Sequence, residues 1–160
     1  MKQLPFFVYG TLLPGQPNAH LWRRLVQEEQ VASFAHGLLY DMGSFPMLLA
    51  ASPDRGSVIC GRLLTPKPDK YLEVLTRFDN LEGYNPDDLD ASAFWRTEVN
   101  VCLSNNRQRS AWVYLGNPRY AEGLTPIDGG HWPSYAAARA SEIEGWWASF
   151  ESLFPSSPEE

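Results

Sequence analysis

Two short stretches of this sequence carry residue types that could do chemistry together. The first is Tyr9-Gly10-Thr11-Leu12, where the apolar run from Phe6 to Tyr9 stops in a small, glycine-containing turn. Consecutive N–H groups in such a turn can cradle a carboxylate or an oxyanion, and Gly10, lacking a Cβ, lets the backbone come close to a ligand. The second is Leu81-Glu82-Gly83-Tyr84. Glu82 stands at the predicted C-terminal edge of a helix, where the negative end of the macrodipole disfavours ionisation and burial beside Leu81 and Tyr84 would raise its pKa further. A carboxyl tuned that way suits proton shuttling near neutral pH. Each stretch also has a plain alternative: a tight strand-to-helix connection for the first, a solvated helix-end glutamate for the second. The neighbouring Asp79, Asp87 and Asp88 read as cap or turn residues.

Other chemistries lack their residues. There is no GxSxG, and no base stands beside Thr11, so covalent catalysis is a weak alternative. The turn matches neither GxGxxG nor the lysine-bearing phosphate loop, so no nucleotide is implied. His20, His36 and His131 are isolated, without HxxxH or HExxH spacing, and no metal or other cofactor is expected. Cys60 and Cys102 belong to no CxxC pair and lie in strand-like apolar contexts, which predicts buried, inert thiols.

The elements that must position these residues follow from periodicity. Phe6 to Tyr9 are aromatic or β-branched, as a buried strand demands. Asn18 is placed to cap a helix through about Glu28, with Leu21, Trp22 and Leu25 on one face. Extended segments follow around 31–41, 46–51 and 56–65, parted by turn residues at Gly43-Ser44 and across 52–56, a pattern that predicts antiparallel hairpins. Pro68 and Asp69 open an amphipathic helix carrying Tyr71, Leu72, Leu75 and Phe78, which Gly83 ends. Two more strands are predicted at 93–103 and 109–116. From Ser134 onward Tyr135, Ala138, Ile143, Trp146, Trp147 and Phe150 recur at helical spacing and read as packing aromatics of a C-terminal helix. Because strands and helices do not alternate strictly, a doubly wound sheet is disfavoured, and the succession points to an α+β barrel or a curled antiparallel sheet.

Composition sets the outer limits. The 160 residues are 44% hydrophobic and 20% charged, enough for one core, so a single domain over 1–154 is expected, with a flexible tail at 155–160. A formal charge of -6, with the 13 Lys and Arg residues scattered, argues against a nucleic-acid surface and for a small-molecule partner. No apolar run is long enough to span a membrane, and the sequence reads as cytoplasmic. Its oligomeric state is not legible.

The order of several motifs adds a resemblance. FVYGTLLPG at 7–15, FDNLEGYNP at 78–86, FWRTEVNV at 94–101, AWVYLG at 111–116 and the segment 127–132 together resemble the gamma-glutamylcyclotransferase-like superfamily, including its AIG2-like and gamma-glutamylamine cyclotransferase-like members, over roughly residues 6–132. The resemblance implies a mixed fold around a small, antiparallel-rich β-barrel with flanking helices and a cavity at its mouth; the C-terminal helix is extra to the shared pattern. It implies that Tyr9, Gly10, Thr11 and Leu12 form a substrate-binding loop, that Glu82 matches the catalytic glutamate and that Tyr114 helps line the pocket. Arg96 falls near a family arginine, whereas Trp95 stands where a tyrosine is common. The implied activity is cyclisation of a γ-glutamyl amide to 5-oxoproline with release of an amine or amino acid, without a cofactor. A non-catalytic module that keeps the cavity for a metabolite or a protein partner stays open beside it.

Overall fold

In the computed structural model, which describes residues 2–153 and the side chains of the last helix as far as Ser149, six strands and two helices follow the order β1 to β4, α1, β5, β6, α2. The tail expected at 155–160 and the side chain of Phe150 lie outside the described residues. The strands are β1 (Phe6–Val8), β2 (Val26–Asp41), β3 (Pro46–Ala50), β4 (Ser57–Pro66), β5 (Phe94–Leu103) and β6 (Gln108–Gly116). The helices are α1 (Tyr71–Glu82) and α2 (Trp132–Leu153).

The sheet runs in the order β3-β2-β4-β1-β6-β5, and a further pairing of β2 with β5 closes five of these strands into a barrel, leaving β3 outside on β2. Every neighbouring pair is antiparallel except β1 and β6, which meet in parallel at Phe6 and Trp112. Closure rests on two residue pairs, Ala32 with Leu103 and Ser33 with Cys102.

β2 is long because it serves two structures. Its first part pairs with β4 as far as Phe34 opposite Ile59; the ladder then slips, with Gly37 opposite Ser57, so that β2 carries one extra residue there. His36 takes a φ of 61° at this bulge. Bulges bend the strand that bears them. Beyond the bulge, β2 pairs with β3 from Gly37 to Asp41 and forms an outer hairpin.

β1 explains its own unbroken apolar sequence. Successive side chains of a strand point to opposite faces. Phe6 and Val8 pack with Tyr71, Val74 and Phe78 of α1, while Phe7 and Tyr9 join Ile59, Leu63 and Val113 inside the barrel. Both faces are buried, so no polar residue is tolerated. α1 presents Tyr71, Val74, Leu75 and Phe78 to that core at helical spacing, each side chain worth about 1.5–3 kcal/mol of apolar burial.

Three sequence expectations are corrected. Residues 18–28 do not form a helix: only a 3-10 turn, Ala19–Leu21, precedes β2, which already begins at Val26. Trp22 is buried by donating its indole N–H to Leu12 O at 2.7 Å, an anchor that ties the chain to the opening turn. Cys60 is exposed on the outer face of the barrel, and Cys102 is half-buried. Of the C-terminal aromatics, Trp132 is buried but Trp146 and Trp147 are 58% and 53% exposed, so they are not core residues. No helix among the described residues is long and apolar enough to cross a membrane.

Candidate active site

The opening turn is held tightly before any ligand is considered. Leu13 N–H donates to Gly10 O and Asn18 N–H to Thr11 O, while the Asn18 side-chain amide donates to the Thr11 hydroxyl at 2.9 Å. Among the described residues no group accepts a hydrogen bond from the N–H of Gly10, Thr11 or Leu12. Gly10 is required by space: a Cβ there would stand 2.6 Å from Pro46 Cγ. The turn is therefore pressed against the start of β3.

Glu82 reaches the same place from the other side. α1 ends because Gly83 takes a left-handed φ of 65°, and the N–H groups of Gly83 and Tyr84 close back on the carbonyls of Asn80 and Asp79. This C-cap arrests the helix with the last side chain facing the barrel. Burial pushes the Glu82 carboxyl from the ordinary 4.5 up to about 8.

A cavity of about 480 Å³ lies between the two elements and is lined by Tyr9, Gly10, Thr11, Leu12, Glu82 and Tyr114. All six residues singled out in the sequence thus come together. Their side chains differ in availability. The Tyr9 hydroxyl donates to Tyr114 O at 2.7 Å and accepts from Leu48 N–H at 3.3 Å, joining the opening turn to β6 and β3. Burial first, and then the nearby Glu82 charge, push its phenol well above the usual value. Tyr114 donates its own hydroxyl to Asp79 Oδ1 at 2.6 Å; burial, followed by that hydrogen bond and the Asp79 charge, raises it strongly. Both phenols are neutral and committed to protein partners.

Asp79 is not the cap or turn residue its position suggested. It accepts from Tyr114 and pairs with Arg96 Nε at 3.1 Å. The Arg96 guanidinium in turn stacks on Tyr84 and Trp112, 5.2 and 4.9 Å from their ring centroids. Arg96 and Tyr114 are register partners on β5 and β6, which explains why one aspartate can engage both. Trp95 points elsewhere, donating to Leu89 O at 2.8 Å, and it does not line the cavity.

Sequence reasoning missed the remaining wall. Ser44, Phe45 and Pro46, at the tip of the outer hairpin, and Phe94, at the start of β5, are also part of the lining. The signal available was an aromatic residue, Phe45, directly after the turn residues Gly43-Ser44. Among the described residues no lysine, arginine or histidine lines the cavity, and no group of three His, Cys, Asp or Glu could hold a metal ion.

Comparison with known proteins bears on this geometry. A family profile described as "Gamma-glutamyl cyclotransferase, AIG2-like" matches residues 6–134. No curated protein sequence matches the chain. Among solved structures, YkqA from Bacillus subtilis superposes with a TM-score of 0.63 at 20% identity over 86% of this chain, which spans only 42% of that protein. The uropathogenic E. coli-specific protein c4763 gives 0.57 at 14% identity, covering 84% of this chain and 95% of that one. A structure titled gamma-glutamyl cyclotransferase gives 0.50 at 14% identity, covering 77% and 69%. At such identities the likeness is one of fold.

Proposed function

This chain belongs to the AIG2-like gamma-glutamyl cyclotransferase family, and from that premise we propose that it cyclises a γ-glutamyl amide to 5-oxoproline with Glu82 as the proton shuttle. The observation that carries the reading is the sharing of one cavity by the raised carboxyl of Glu82 and the uncommitted N–H groups of residues 10–12.

The reaction is intramolecular. A substrate ammonium entering beside Glu82 favours its carboxylate form, which removes a proton and frees the amine. The amine nitrogen attacks the γ-carbonyl carbon; a C–N bond forms, and the carbonyl π pair moves onto oxygen. When that pair returns, the C–N bond to the partner amine breaks, and Glu82 delivers a proton to the departing nitrogen. Of the ammonium's three protons, one stays on the lactam and two leave on the released amine as its own ammonium. No water or co-reactant is consumed. The N–H groups of residues 10–12 are donors for the substrate's α-carboxylate or the developing oxyanion. Holding the bent conformer brings a proximity advantage that reaches about 7–11 kcal/mol in favourable systems.

The test is to incubate the purified protein with γ-glutamyl amides and quantify 5-oxoproline, alongside Glu82→Gln. Wild type is expected to form the lactam, and the variant to lose at least about 100-fold in kcat, the usual contribution of a positioned acid/base. Undiminished turnover by folded Glu82→Gln would remove Glu82 from this role.

A further inference from the structure

The segment that leads from the opening turn into β2 forms one side of a second depression, of about 400 Å³, lined by His20, Arg23, Arg24, Leu25 and Arg77. It shares no lining residue with the cavity that holds Glu82. Three of its lining residues are arginines, a fourth is a histidine and none is acidic, although the chain as a whole has a formal charge of -6. Folding brings Arg77, on α1, to the arginine pair at 23–24, a convergence that the spacing along the sequence conceals.

Protein contacts fix the walls of this depression. Trp22, directly before the arginine pair, is anchored by its indole N–H on Leu12 O at 2.7 Å, and directly after the pair Leu25 O accepts from Lys67 N–H at 2.8 Å. Arg77 Nη1 donates to Leu21 O at 2.9 Å and Nη2 donates to Glu73 Oε1 at 2.8 Å, which holds the guanidinium against the same segment and leaves it further N–H donors. Pro17 O, which can only accept, lies 3.0 Å from His20 Nδ1 and so holds a proton there; a protonated ring donates from Nε2 as well. Arg23 and Arg24 are exposed, and among the described residues neither side chain has a hydrogen-bond acceptor or a carboxylate partner.

The positive charge is not balanced from within. Among the described residues Glu73 is the carboxylate paired with Arg77, and Lys70 shares it at 3.8 Å. Like charges placed this way repel one another, and an anion seated among them relieves that repulsion. Guanidinium forks match the oxygens of carboxylates and phosphates alike, but cations converging from two elements favour a group that concentrates more than one negative charge. Phosphate esters and pyrophosphate do so, whereas a carboxylate carries a single charge. An anionic membrane offers phosphates too, yet it would repel the rest of a chain of formal charge -6.

We propose that this depression is a second ligand site, independent of the cyclotransferase reading, that binds a multiply charged phosphate group of a soluble small molecule through Arg23, Arg24, Arg77 and His20.

The experiment titrates the full chain with pyrophosphate by calorimetry at a constant ionic strength of about 0.15 M, so that general screening does not change along the titration. Saturable one-to-one binding with Kd below about 1 mM is expected. The double variant Arg23→Ala/Arg24→Ala should bind at least about tenfold more weakly, whereas Arg55→Ala/Arg107→Ala, which removes the same charge at exposed positions elsewhere, should stay within about twofold of wild type. Without anion both doubles should melt within about 2 °C of wild type, since exposed side chains are replaced. Citrate should bind more weakly than pyrophosphate, and vesicles of phosphatidylcholine with about 5% phosphatidylinositol bisphosphate should not retain the protein. Absence of saturable pyrophosphate binding, or equal losses in the two doubles, overturns the site. Citrate binding as tight as pyrophosphate overturns the phosphate assignment, and vesicle retention without pyrophosphate binding overturns the soluble source. None of these outcomes depends on 5-oxoproline formation, so the two readings fail separately.

Discussion

Replacing Glu82 by glutamine should make the protein more stable while disabling it, and the gain should depend on pH in a defined direction. Burial raises the folded-state pKa of Glu82 to about 8 from the ordinary 4.5. The folded state thus holds a proton that the unfolded chain has released, so folding stability falls as pH rises through the window between those two values. The contribution is fully present below the lower value and exhausted above the upper one. At about 1.36 kcal/mol per pH unit, the wild type forfeits about 3 kcal/mol at pH 7 and close to 5 kcal/mol at pH 9 relative to its stability at pH 4. Glutamine keeps the shape and never ionises. Urea unfolding of both proteins at pH 5, 7 and 9 should therefore give a Glu82→Gln advantage of under about 1 kcal/mol at pH 5 that grows to several kcal/mol at pH 9. An advantage that stays flat across pH, or one largest at pH 5, would refute the claim that a desolvated carboxyl faces the cavity.

Two further substitutions probe how the site is held. Gly10→Ala would bring a Cβ to 2.6 Å from Pro46 Cγ; overpacking of that kind costs about 1–3 kcal/mol, and at about 2–4 °C per kcal/mol for a chain of this size a thermal melt should show it plainly. An unchanged Tm would mean that the turn and β3 are not pressed together. Tyr9→Phe strips the partner from Tyr114 O and Leu48 N–H, and denaturant unfolding should show a loss of about 1–3 kcal/mol, with a neutral result ruling out the phenol as the tie between β6 and β3.

What the sequence made legible were features with short-range causes. α1 announced itself by the spacing of Tyr71, Leu75 and Phe78, and its end by Gly83, because both depend on residues within a turn of one another. The two-faced burial of β1 was visible in Phe6 to Tyr9 for the same reason. The segment 18–28 misled because Leu21, Trp22 and Leu25 fit a helical face, yet Trp22 is committed to Leu12 and the polar run 27–30 lies along a strand. Cys60 misled because its apolar neighbours Ile59 and Gly61 face inward while it alternates outward. Asp79 and Arg77 acquire their roles only through contacts 35 and 56 residues apart, and no local pattern encodes those.

The bulge at His36 has a consequence for how such proteins can diverge. It separates one continuous strand into a stretch paired with β4 and a stretch paired with β3, with Gly37 meeting both neighbours. Residues added or removed in the connection between Asp41 and Pro46 change the rim without shifting Leu39 and Tyr40, which are held in the core, from one face of the strand to the other. One wall of the cavity mouth and the placement of Glu82 are thus set by different segments of the chain, the hairpin tip for the first and the end of α1 for the second.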